Sequence, residues 1–554
     1  MCALGFLFSA LVSRRLVVYH EAEKEAIAKG VRVKKIAIVG GGASGLAAAV
    51  AASEHLRVVN AQGGTPAAGA CGGKGAAGVR GGARSAAAQD VARPANEGHV
   101  ARPANGGCGS APSDSCEVVV YEADDRVGRS ILATGNGRCN FSNAHVGEGD
   151  FRNADFVGDA LIALRGHHVA HSGKCTVRVM EEDPVCEFFA ERGLAWREED
   201  DGRRYPATNK ASAVLDVLRA AAAAGGVREE CAHGVVAIEA PRGRVAEGVD
   251  TSSMRPAEVA GASRGRVAEV AEALHAESGR FTLRMDDGEF VRADAVILAC
   301  GGRAGLGAGV GGHSALELAP AGFGFSAQKA RPVLGPLKTD TGAIRGLDGV
   351  RVRCAVELVR EGKRVARERG ELLFRSYGVS GIAVFDLSRH ARAGDEVVID
   401  FLPNVRECDM QTFIGTRRKR MARHRMVATC EDFLRGLVLP SVACAALAHA
   451  GVSAGAQAGK EELAQVAAAL KRFPLKIQGV GDARQCQVAR GGLAIKSFDP
   501  CTMEARALPG FFAVGEALDV DARCGGFNLH WAWASGILAG LAAAEHVAGA
   551  VRRS

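Results

Sequence analysis

The chain has 554 residues, with 69 lysines and arginines against 62 aspartates and glutamates, and a formal charge of +7 at pH 7. Its 47% hydrophobic and 24% charged residues exclude global disorder, and its length predicts two or three domains. The charge is mild for this length, so it favours anionic ligands weakly and gives no nucleic-acid-binding signature. The 16 cysteines contain no Cys-x-x-Cys pair, which indicates free thiols in a reducing compartment rather than a zinc or thioredoxin-type site.

Residues 1–30 are expected to form an N-terminal extension. Their apolar stretch precedes Arg14 and Arg15, the reverse of the order in a secretory signal. It is also shorter than the about 20 apolar residues of a membrane span. A second apolar run, 531–547, contains polar residues and predicts a buried helix, in which Trp531 and Trp533 serve packing. We therefore expect no membrane segment and a cytoplasmic location.

The first chemical signal is a strand followed by a glycine-rich turn and a helix. Residues 34–39 predict a buried strand, and Gly40, Gly42 and Gly45 follow before a helix of small residues. Gly40 permits the tight turn, Gly42 lets a pyrophosphate approach the backbone, and Gly45 lets the helix pack closely. The helix N-terminus would present free N–H groups to the phosphates. This unit predicts a dinucleotide cradle.

An acidic residue at the end of the next strand would bind a ribose. Residues 116–122 predict that strand, and its last residue, Glu122, lies 82 positions after Gly40 instead of about 20. Residues 60–115 are rich in Gly, Ala, Ser, Pro and Arg and predict a disordered insertion. Removing this insertion restores the spacing. Because an acid disfavours a 2′-phosphate, the ligand is predicted to be FAD or NAD rather than NADP.

Later segments indicate a split domain. Residues 241–278 predict a second insertion, and 293–302 predict another strand that runs into glycines. The alternation around 350–358 predicts antiparallel strands, 445–470 predicts a helix, and 511–516 returns to the strand–glycine pattern. The predicted fold is α/β, with a discontinuous Rossmann-like FAD-binding domain (31–330 and 474–554) around an inserted, mostly β domain (331–473).

Glycine-rich segments spread from residue 40 to residue 526 favour FAD over NAD, because FAD lies extended across its domain. Two segments carry a family resemblance. Residues 129–143 read RSILATGNGRCNFSN and residues 515–536 read GEALDVDARCGGFNLHWAWASG. Both resemble signatures of the BaiN/YhiN-like family of bacterial NAD(P)/FAD-dependent oxidoreductases (aminoacetone oxidase family). Weaker matches lie at 200–206, 370–374 and 377–381.

The resemblance implies bound FAD, NAD(P)H as a candidate electron donor, and an unsaturated or carbonyl-type small-molecule substrate. Together with the residue patterns, it gives a predicted set of cofactor-binding residues: Gly40, Gly42, Ala43, Ser44, Gly45, Glu122, Ala123, Arg129, Arg138, Cys139, Asn140, Val235, Cys300, Gly301, Gly302, Gly515, Glu516, Asp519, Gly526, Phe527, Asn528 and Leu529. Asp519 is a candidate acceptor for ribityl hydroxyls. The N–H groups of a helix beginning near Asn528 would stabilise negative charge on the reduced ring. Cys139 is expected to be a small neighbour of the ring rather than a redox thiol.

The chain departs from the family pattern at several positions. Cys300 replaces a threonine, residues 307–314 match poorly, Ala489 removes a hydroxyl, and Phe527 and His530 replace a tyrosine and a glutamine. Cofactor binding should tolerate these changes because much of it uses backbone groups. They leave the substrate less well defined.

Other candidates are less specific. Residues 417–420 with Arg423 and Arg425 predict a solvated helix face or, alternatively, an anion or RNA contact, although no aromatic residues interleave with them. His313 and His530 are candidate proton donors, and no catalytic residue or metal site is assigned. The alternatives to an oxidoreductase are a flavin-binding RNA-modification or regulatory protein and a non-catalytic scaffold. Nucleic acid and membrane partners are not expected, and the oligomeric state stays open.

Overall fold

The computed structural model describes residues 33–63, 116–172, 183–241, 280–302 and 312–551. The predicted N-terminal extension, nearly all of both predicted insertions and residues 307–311 lie outside these ranges. The description below concerns the compact unit formed by residues 34–56 and the described part of 116–554.

The strands of the described ranges are, in chain order, β1 (Lys34–Val39), β2 (Cys116–Glu122), β3 (Ser142–Asn143), β4 (Trp196–Glu198), β5 (Arg203–Pro206), β6 (Arg228–Cys231), β7 (Val235–Glu239), β8 (Phe281–Met285), β9 (Phe290–Ala293), β10 (Ala295–Leu298), β11 (Ala327–Val333), β12 (Leu337–Thr339), β13 (Arg351–Arg360), β14 (Lys363–Arg375), β15 (Gly378–Ser380), β16 (Glu396–Asp400), β17 (Phe473–Val480), β18 (Val488–Leu493) and β19 (Phe511–Ala513).

The α-helices of the same ranges are α1 (Ala43–Gly63), α2 (Arg129–Ala133), α3 (Ala154–Ser172), α4 (Pro184–Glu191), α5 (Ala211–Gly225), α6 (Ala315–Leu318), α7 (Ile382–Ser388), α8 (Met410–Arg423), α9 (Cys430–Leu434), α10 (Pro440–Ala450), α11 (Lys460–Lys471) and α12 (Phe527–Val551). Within the described ranges, no helix combines the length and the apolar character that crossing a membrane requires.

A five-stranded parallel sheet forms the centre of the Rossmann part, in the order β19-β10-β1-β2-β6. Every residue of β1 is buried, which is typical of a parallel strand covered on both faces. Ile38 pairs with Val120 on one side and with Ile297 on the other. Strand β19 comes from the C-terminal part of the chain, so both chain parts build one sheet. The predicted α/β class with a discontinuous Rossmann-like domain is confirmed.

Helices α1 and α12 pack with their backbones in close contact. A Cβ atom at Gly536 would lie 2.3 Å from the Ser44 carbonyl oxygen, and one at Gly540 would lie 2.4 Å from the Ala48 carbonyl oxygen. Helix α12 is the buried helix predicted from the sequence, and Trp531 and Trp533 are both buried in it. Its small residues therefore allow the last helix to lie directly on the first.

An antiparallel module is inserted between β10 and β19. Six strands close a barrel in the order β12-β15-β14-β13-β16-β17, and β13 pairs with β14 and β16 in antiparallel register. The antiparallel strands predicted around 350–358 are thus confirmed. The barrel extends to Val480, beyond the expected limit at 473, because β17 closes it against β12.

One local prediction was wrong. The single helix predicted over 445–470 is two helices, α10 and α11, because Gly451 adopts a left-handed conformation at the C-cap of α10 and ends it. Helix α1 continues to Gly63, into the first residues of the segment predicted as an insertion from about residue 60.

We expect Gly540→Val to lower the free energy of unfolding by about 3 kcal/mol, because the new side chain would overpack the contact between α12 and α1. Gly549→Val in the same helix is the matched control, because a Cβ there has no neighbour within 4 Å. Urea unfolding of the two variants measures the difference. Equal stabilities would show that the contact between α12 and α1 is not close.

Candidate cofactor and active site

The predicted cofactor residues follow the carboxyl ends of the parallel strands. Gly40 follows β1, Glu122 ends β2, Cys300 lies two residues after β10, and Gly515 lies two residues after β19. Carboxyl ends of parallel strands share one edge of the sheet, and ligands of open α/β sheets bind outside that edge. The structure therefore brings together residues that lie up to 475 positions apart in the chain.

The glycine turn after β1 has two packing glycines and one open position. Gly40 has φ +107°, and a Cβ there would lie 2.8 Å from the carbonyl group of Ala299. A Cβ at Gly45 would lie 1.9 Å from the Gly40 oxygen. A Cβ at Gly42 would meet only the Ser130 hydroxyl, at 3.3 Å. The side of Gly42 is thus open to a ligand, as a pyrophosphate cradle requires.

The first turn of α1 stands beside this opening. Ala43 is half-buried and Ser44 is buried. A Cβ at Gly515 would lie 3.0 Å from the Ser44 hydroxyl, so the turn after β19 adjoins the start of α1. Free N–H groups at a helix N-terminus suit an anionic phosphate.

Glu122 is held against the glycine turn. One carboxylate oxygen accepts a hydrogen bond from the Gly41 N–H at 2.8 Å, and the other accepts from the Asp124 N–H at 3.0 Å. Ala123 lies next to the turn that leads into β7, since its Cβ is 3.2 Å from the Cβ position of Gly234. Val235, the first residue of β7, is buried behind this turn. Three predicted residues therefore mark one end of the sheet edge.

Gly302 and Glu516 meet further along the edge. A Cβ at Gly302 would lie 2.7 Å from the Ala489 Cβ and 3.5 Å from the Glu516 oxygens. The Glu516 carboxylate accepts a hydrogen bond from the Ala489 N–H at 3.5 Å. Burial raises the pKa of this carboxyl to about 7, so it exchanges its proton near neutral pH. Cys300 and Gly301, which precede Gly302 in the same turn, are half-buried.

The other end of the edge is formed by the two family motifs together. A Cβ at Gly526 would lie 2.3 Å from the Ser142 carbonyl oxygen and 2.9 Å from Asn140 Oδ1. Asn140 Oδ1 is buried and has no hydrogen-bond partner among the described residues. An unsatisfied acceptor here would suit a donor such as a flavin imide N–H. Helix α12 begins one residue later, at Phe527.

The environment of Cys139 does not favour a reactive thiol. Its side chain is fully buried, and burial raises the pKa of the thiol to about 11. A thiol with that pKa is protonated at neutral pH and is a poor nucleophile. This agrees with the expectation that Cys139 is a small neighbour and not a redox group.

The two predicted arginines are held by the protein itself. Arg138 forms an ion pair with Glu199 and stacks over the Tyr205 ring, 4.0 Å from its centroid. Arg129 is exposed and forms an ion pair with Asp124 at 3.1 Å. Both guanidiniums already have partners, so their assignment to the cofactor stays a prediction.

Asp519 and Asn528 also have protein partners. Both carboxylate oxygens of Asp519 accept hydrogen bonds from Arg152, at 3.0 and 3.1 Å. The Asn528 amide bonds the backbone N–H and carbonyl of Ala522. The sequence analysis missed Arg152, which lies nine residues beyond the first motif and has no spacing signal. The structure thus gives these two side chains a role in fixing the loop between Gly515 and α12.

The remaining motif residues, Phe527 and Leu529, lie in the first turn of α12. Phe527 is buried and packs edge-on against Phe151, and Leu529 is half-buried. The carbonyl oxygen of Gly515 accepts a hydrogen bond from Trp531 at 3.2 Å. Helix α12 therefore fixes the turn after β19 as well as the second motif.

The two candidate histidines have different environments. His313 is exposed and lies 3.4 Å from Glu317. His530 is buried, with Nδ1 3.0 Å from the Ser142 hydroxyl and 3.7 Å from Asp183. Burial lowers its pKa, so His530 is neutral at physiological pH. It lines a cavity of about 130 Å³ together with Asn143, Ala144, Val146, Leu161, Leu164, Arg165, Asp183, Pro184 and Arg204.

A parallel sheet with a glycine cradle, an acidic residue on the neighbouring strand and a second helix N-terminus at the far end defines an α/β dinucleotide-binding protein. The predicted cofactor residues are spread along this edge of the sheet from Val235 to Gly526, and such a spread suits an extended ligand. Gly42 and Asn140 show that the residues present fit such a group.

Comparisons with known proteins identify the family. The model of the HI0933-like protein Rossmann domain matches residues 252–542. The 3-dehydro-bile acid delta(4,6)-reductase of Clostridium scindens is 29% identical over 446 residues, covering 79% of this chain and 95% of the relative. A ribosomal RNA dihydrouridine synthase of Escherichia coli is 27% identical over 429 residues, covering 76% and 90%. A solved 3-ketosteroid-delta4-(5alpha)-dehydrogenase from Rhodococcus jostii is similar at a TM-score of 0.36 and 13% identity, covering 93% and 97%.

The matched domain covers more than half of the chain, so the protein belongs to the HI0933-like family of BaiN/YhiN-type flavoproteins. The resemblance found in the two motifs is confirmed. The protein is accordingly an enzyme, a flavin-dependent oxidoreductase.

We expect Gly42→Val to fold normally but to weaken flavin binding on the order of 100-fold, because the side chain would fill the open side of the cradle. Gly147→Val is the control, since Gly147 is exposed and extended and a Cβ there would have its nearest neighbour at 3.8 Å. The ratio of flavin to protein absorbance after dialysis measures binding, and thermal unfolding checks the fold. A full flavin content in Gly42→Val would remove the cradle from the cofactor site.

We expect His530 to make stability fall when the pH decreases. Its pKa in the folded protein lies below that in the unfolded chain, so the unfolded state binds more protons below about pH 6.5. Urea unfolding at pH 7.5 and pH 5.5 should show a smaller loss for His530→Gln than for the wild type. His313→Gln, at an exposed position, should behave as the wild type. Equal losses in all three proteins would contradict a buried neutral His530.

Proposed function

We propose that the protein binds FAD, takes electrons from NAD(P)H and reduces a carbon–carbon double bond conjugated with a carbonyl group. The main observation behind this proposal is a continuous edge of the parallel sheet, here called the cofactor edge, which runs from Glu122 past Gly42 and Gly302 to the start of α12. A mononucleotide would need only part of this edge. The activities of the relatives support the acceptor class, because a delta(4,6)-reductase and a dihydrouridine synthase both saturate such a bond.

Named residues would hold each part of FAD. The turn at Gly42 and the N–H groups of α1 would bind the pyrophosphate, and Glu122 would exchange its bond to the Gly41 N–H for ribose hydroxyls. The turn at Gly302 and Glu516 would hold the ribityl chain. Gly526 and Asn140 would lie against the ring. When bound, the flavin supplies the hydride chemistry.

The chain supplies orientation and electrostatics at the ring end. The N–H groups of the first turn of α12 carry a partial positive charge that stabilises an anion. Gly525 and Gly526 leave this turn without side chains in front of it. The neutral His530 lies one turn into the same helix, where it fixes Ser142 by hydrogen bonding. We assign His530 a positioning role and leave the proton donor unassigned.

The acceptor would bind where the barrel meets the loop between Gly515 and α12. Cys524 in this loop donates its N–H to Asp386 of α7 at 2.7 Å. Arg389, at the end of α7, bonds Asp521 in the same loop at 2.9 Å. Both parts of the chain therefore form the walls around the ring end. A cytoplasmic location is part of the proposal, and the twelve described cysteines support it because all are free thiols.

A second candidate is the reduction of uridine within RNA. Helix α8 presents four exposed cations, Arg418, Lys419, Arg420 and Arg423, which form no ion pair with a described residue. An RNA-modifying relative is 27% identical. An unpaired basic surface favours polyanionic partners. A small-molecule acceptor remains the primary proposal because no exposed aromatic residues accompany these cations.

We expect the purified chain to carry FAD that NADH or NADPH bleaches without oxygen. Cyclohexenone should restore the oxidised spectrum, whereas cyclohexanone and cyclohexene should not, because only the enone has a conjugated double bond. Stopped-flow absorbance measures both half-reactions. A colourless protein that cannot be reconstituted with FAD would refute the cofactor assignment.

The same preparation separates the two candidates. Ribosomal RNA transcripts are incubated with the reduced enzyme, and dihydrouridine is measured by mass spectrometry. The double variant Arg418→Glu and Arg420→Glu should abolish RNA reduction if RNA is the acceptor and leave cyclohexenone reduction unchanged. Efficient RNA reduction by the wild type would make RNA the primary acceptor.

A further inference from the structure

A surplus of arginines surrounds the loop between Gly515 and α12. The buried Asp521 carboxylate, with a fully buried side chain, accepts two hydrogen bonds from Arg490, each 2.8 Å long. It accepts a third, at 2.9 Å, from Arg389. Arg152 occupies Asp519 in the same loop. Asp519 and Asp521 are therefore both occupied by these three arginines, and the third carboxylate of the loop, Glu516, accepts a hydrogen bond from the Ala489 N–H instead.

Arg331 is a fourth guanidinium at this place and has no carboxylate partner among the described residues. It is exposed, and its Nη2 donates to the Arg389 carbonyl oxygen at 2.9 Å. Desolvation of the guanidinium by the surrounding protein, together with the nearby charges of Arg490 and Arg152, lowers its pKa, whereas Asp521 raises it. Its hydrogen bond fixes the guanidinium and leaves other N–H groups free to bind a ligand.

The strand register places two of these arginines opposite each other, which destabilises the ribbon. Arg331 in β11 pairs directly with Arg490 in β18 across the antiparallel ribbon. Like charges at directly opposite positions repel and destabilise a sheet. One shared carboxylate, Asp521, offsets only part of this repulsion. An arrangement of this kind favours binding of an anion between the guanidiniums.

The cluster adjoins the cofactor edge. Ala489, next to Arg490, contacts the Gly302 position and bonds Glu516. Arg389 follows α7, which lies between the barrel strands β15 and β16, and Arg331 and Arg490 belong to the ribbon that connects the barrel with the parallel sheet. Arg389 and Arg490 both bond Asp521 in the loop between Gly515 and α12, so the cluster adjoins the walls between which the proposed acceptor would bind.

We propose that Arg331 binds an oxyanion group of the acceptor. The substrate of the proposed reductase is then an acid, whose charged group is held at the ribbon while its double bond lies toward the ring end. This inference rests on the proposed function. A planar guanidinium fork suits both a carboxylate and a phosphate, so the two sources are separated by the test.

The binding test uses the full-length flavin-loaded protein at low ionic strength and isothermal titration calorimetry. Succinate and inorganic phosphate are the probes. We expect one of them to bind the wild type, and Arg331→Gln to weaken that binding at least 10-fold. Arg331→Lys, which keeps the charge but not the fork, should be intermediate. Tighter binding of succinate indicates a carboxylate, and tighter binding of phosphate indicates a phosphorylated acceptor.

Arg345→Gln is the matched control, because Arg345 is an exposed arginine outside this cluster and outside α8. It should bind the probe as the wild type does. Absence of binding to the wild type, or equal losses in Arg331→Gln and Arg345→Gln, would overturn the oxyanion site. Circular dichroism of each variant confirms that it is folded.

A kinetic experiment distinguishes failure of this oxyanion site from failure of the proposed reductase function. The acceptors are 6-oxohept-4-enoate and its methyl ester, which share the enone and differ in the charge. If the enzyme prefers the acid, Arg331→Gln should raise the KM for the acid at least 10-fold and leave the KM for the ester unchanged. Reduction of both acceptors without preference would overturn the site and keep the reductase. Probe binding without reduction of either acceptor would keep the site and overturn the proposed function.

Discussion

The contact between α1 and α12 is the constraint on which the rest of the protein depends. Two glycines of the last helix let its backbone lie on the backbone of the first helix, although the contacting residues are about 490 positions apart. This contact fixes the start of α12 beside the glycine turn after β1. It also lets Trp531 hold the turn after β19. The phosphate end and the ring end of the cofactor edge are therefore set by one helix pair.

Much of the cofactor edge could be predicted from the sequence, because its parts are local. A strand, a glycine turn and a helix follow one another around Gly40, and each has a backbone reason for its residues. The position of Glu122 at the end of the next strand could be predicted once the intervening low-complexity stretch was discounted. The residues of both motifs lie where the sheet topology brings strand ends together, so their positions follow from the order of the strands.

The ion pairs around the ring end could not be predicted in the same way. Arg152 and Asp519 are 367 residues apart, and Arg389 and Asp521 are 132 apart. No periodicity or spacing connects them, and only the closed structure shows that each aspartate is already occupied. The helix predicted over 445–470 failed for a different reason. Alanine-rich periodicity continued through a region in which the backbone conformation of Gly451 stops the helix.

The placement of the first insertion has a consequence for how such a chain can lengthen. The 52 residues between Gly63 and Cys116 connect α1 to β2, yet β2 keeps an unbroken six-residue register with β1 from Lys34 to Val39. The entropy cost of closing a flexible connection grows only with the logarithm of its length, so doubling it costs about 0.6 kcal/mol. The connection between two paired strands can therefore lengthen at little cost to the pairing between them. The length of this enzyme is accordingly a poor guide to the size of its catalytic framework.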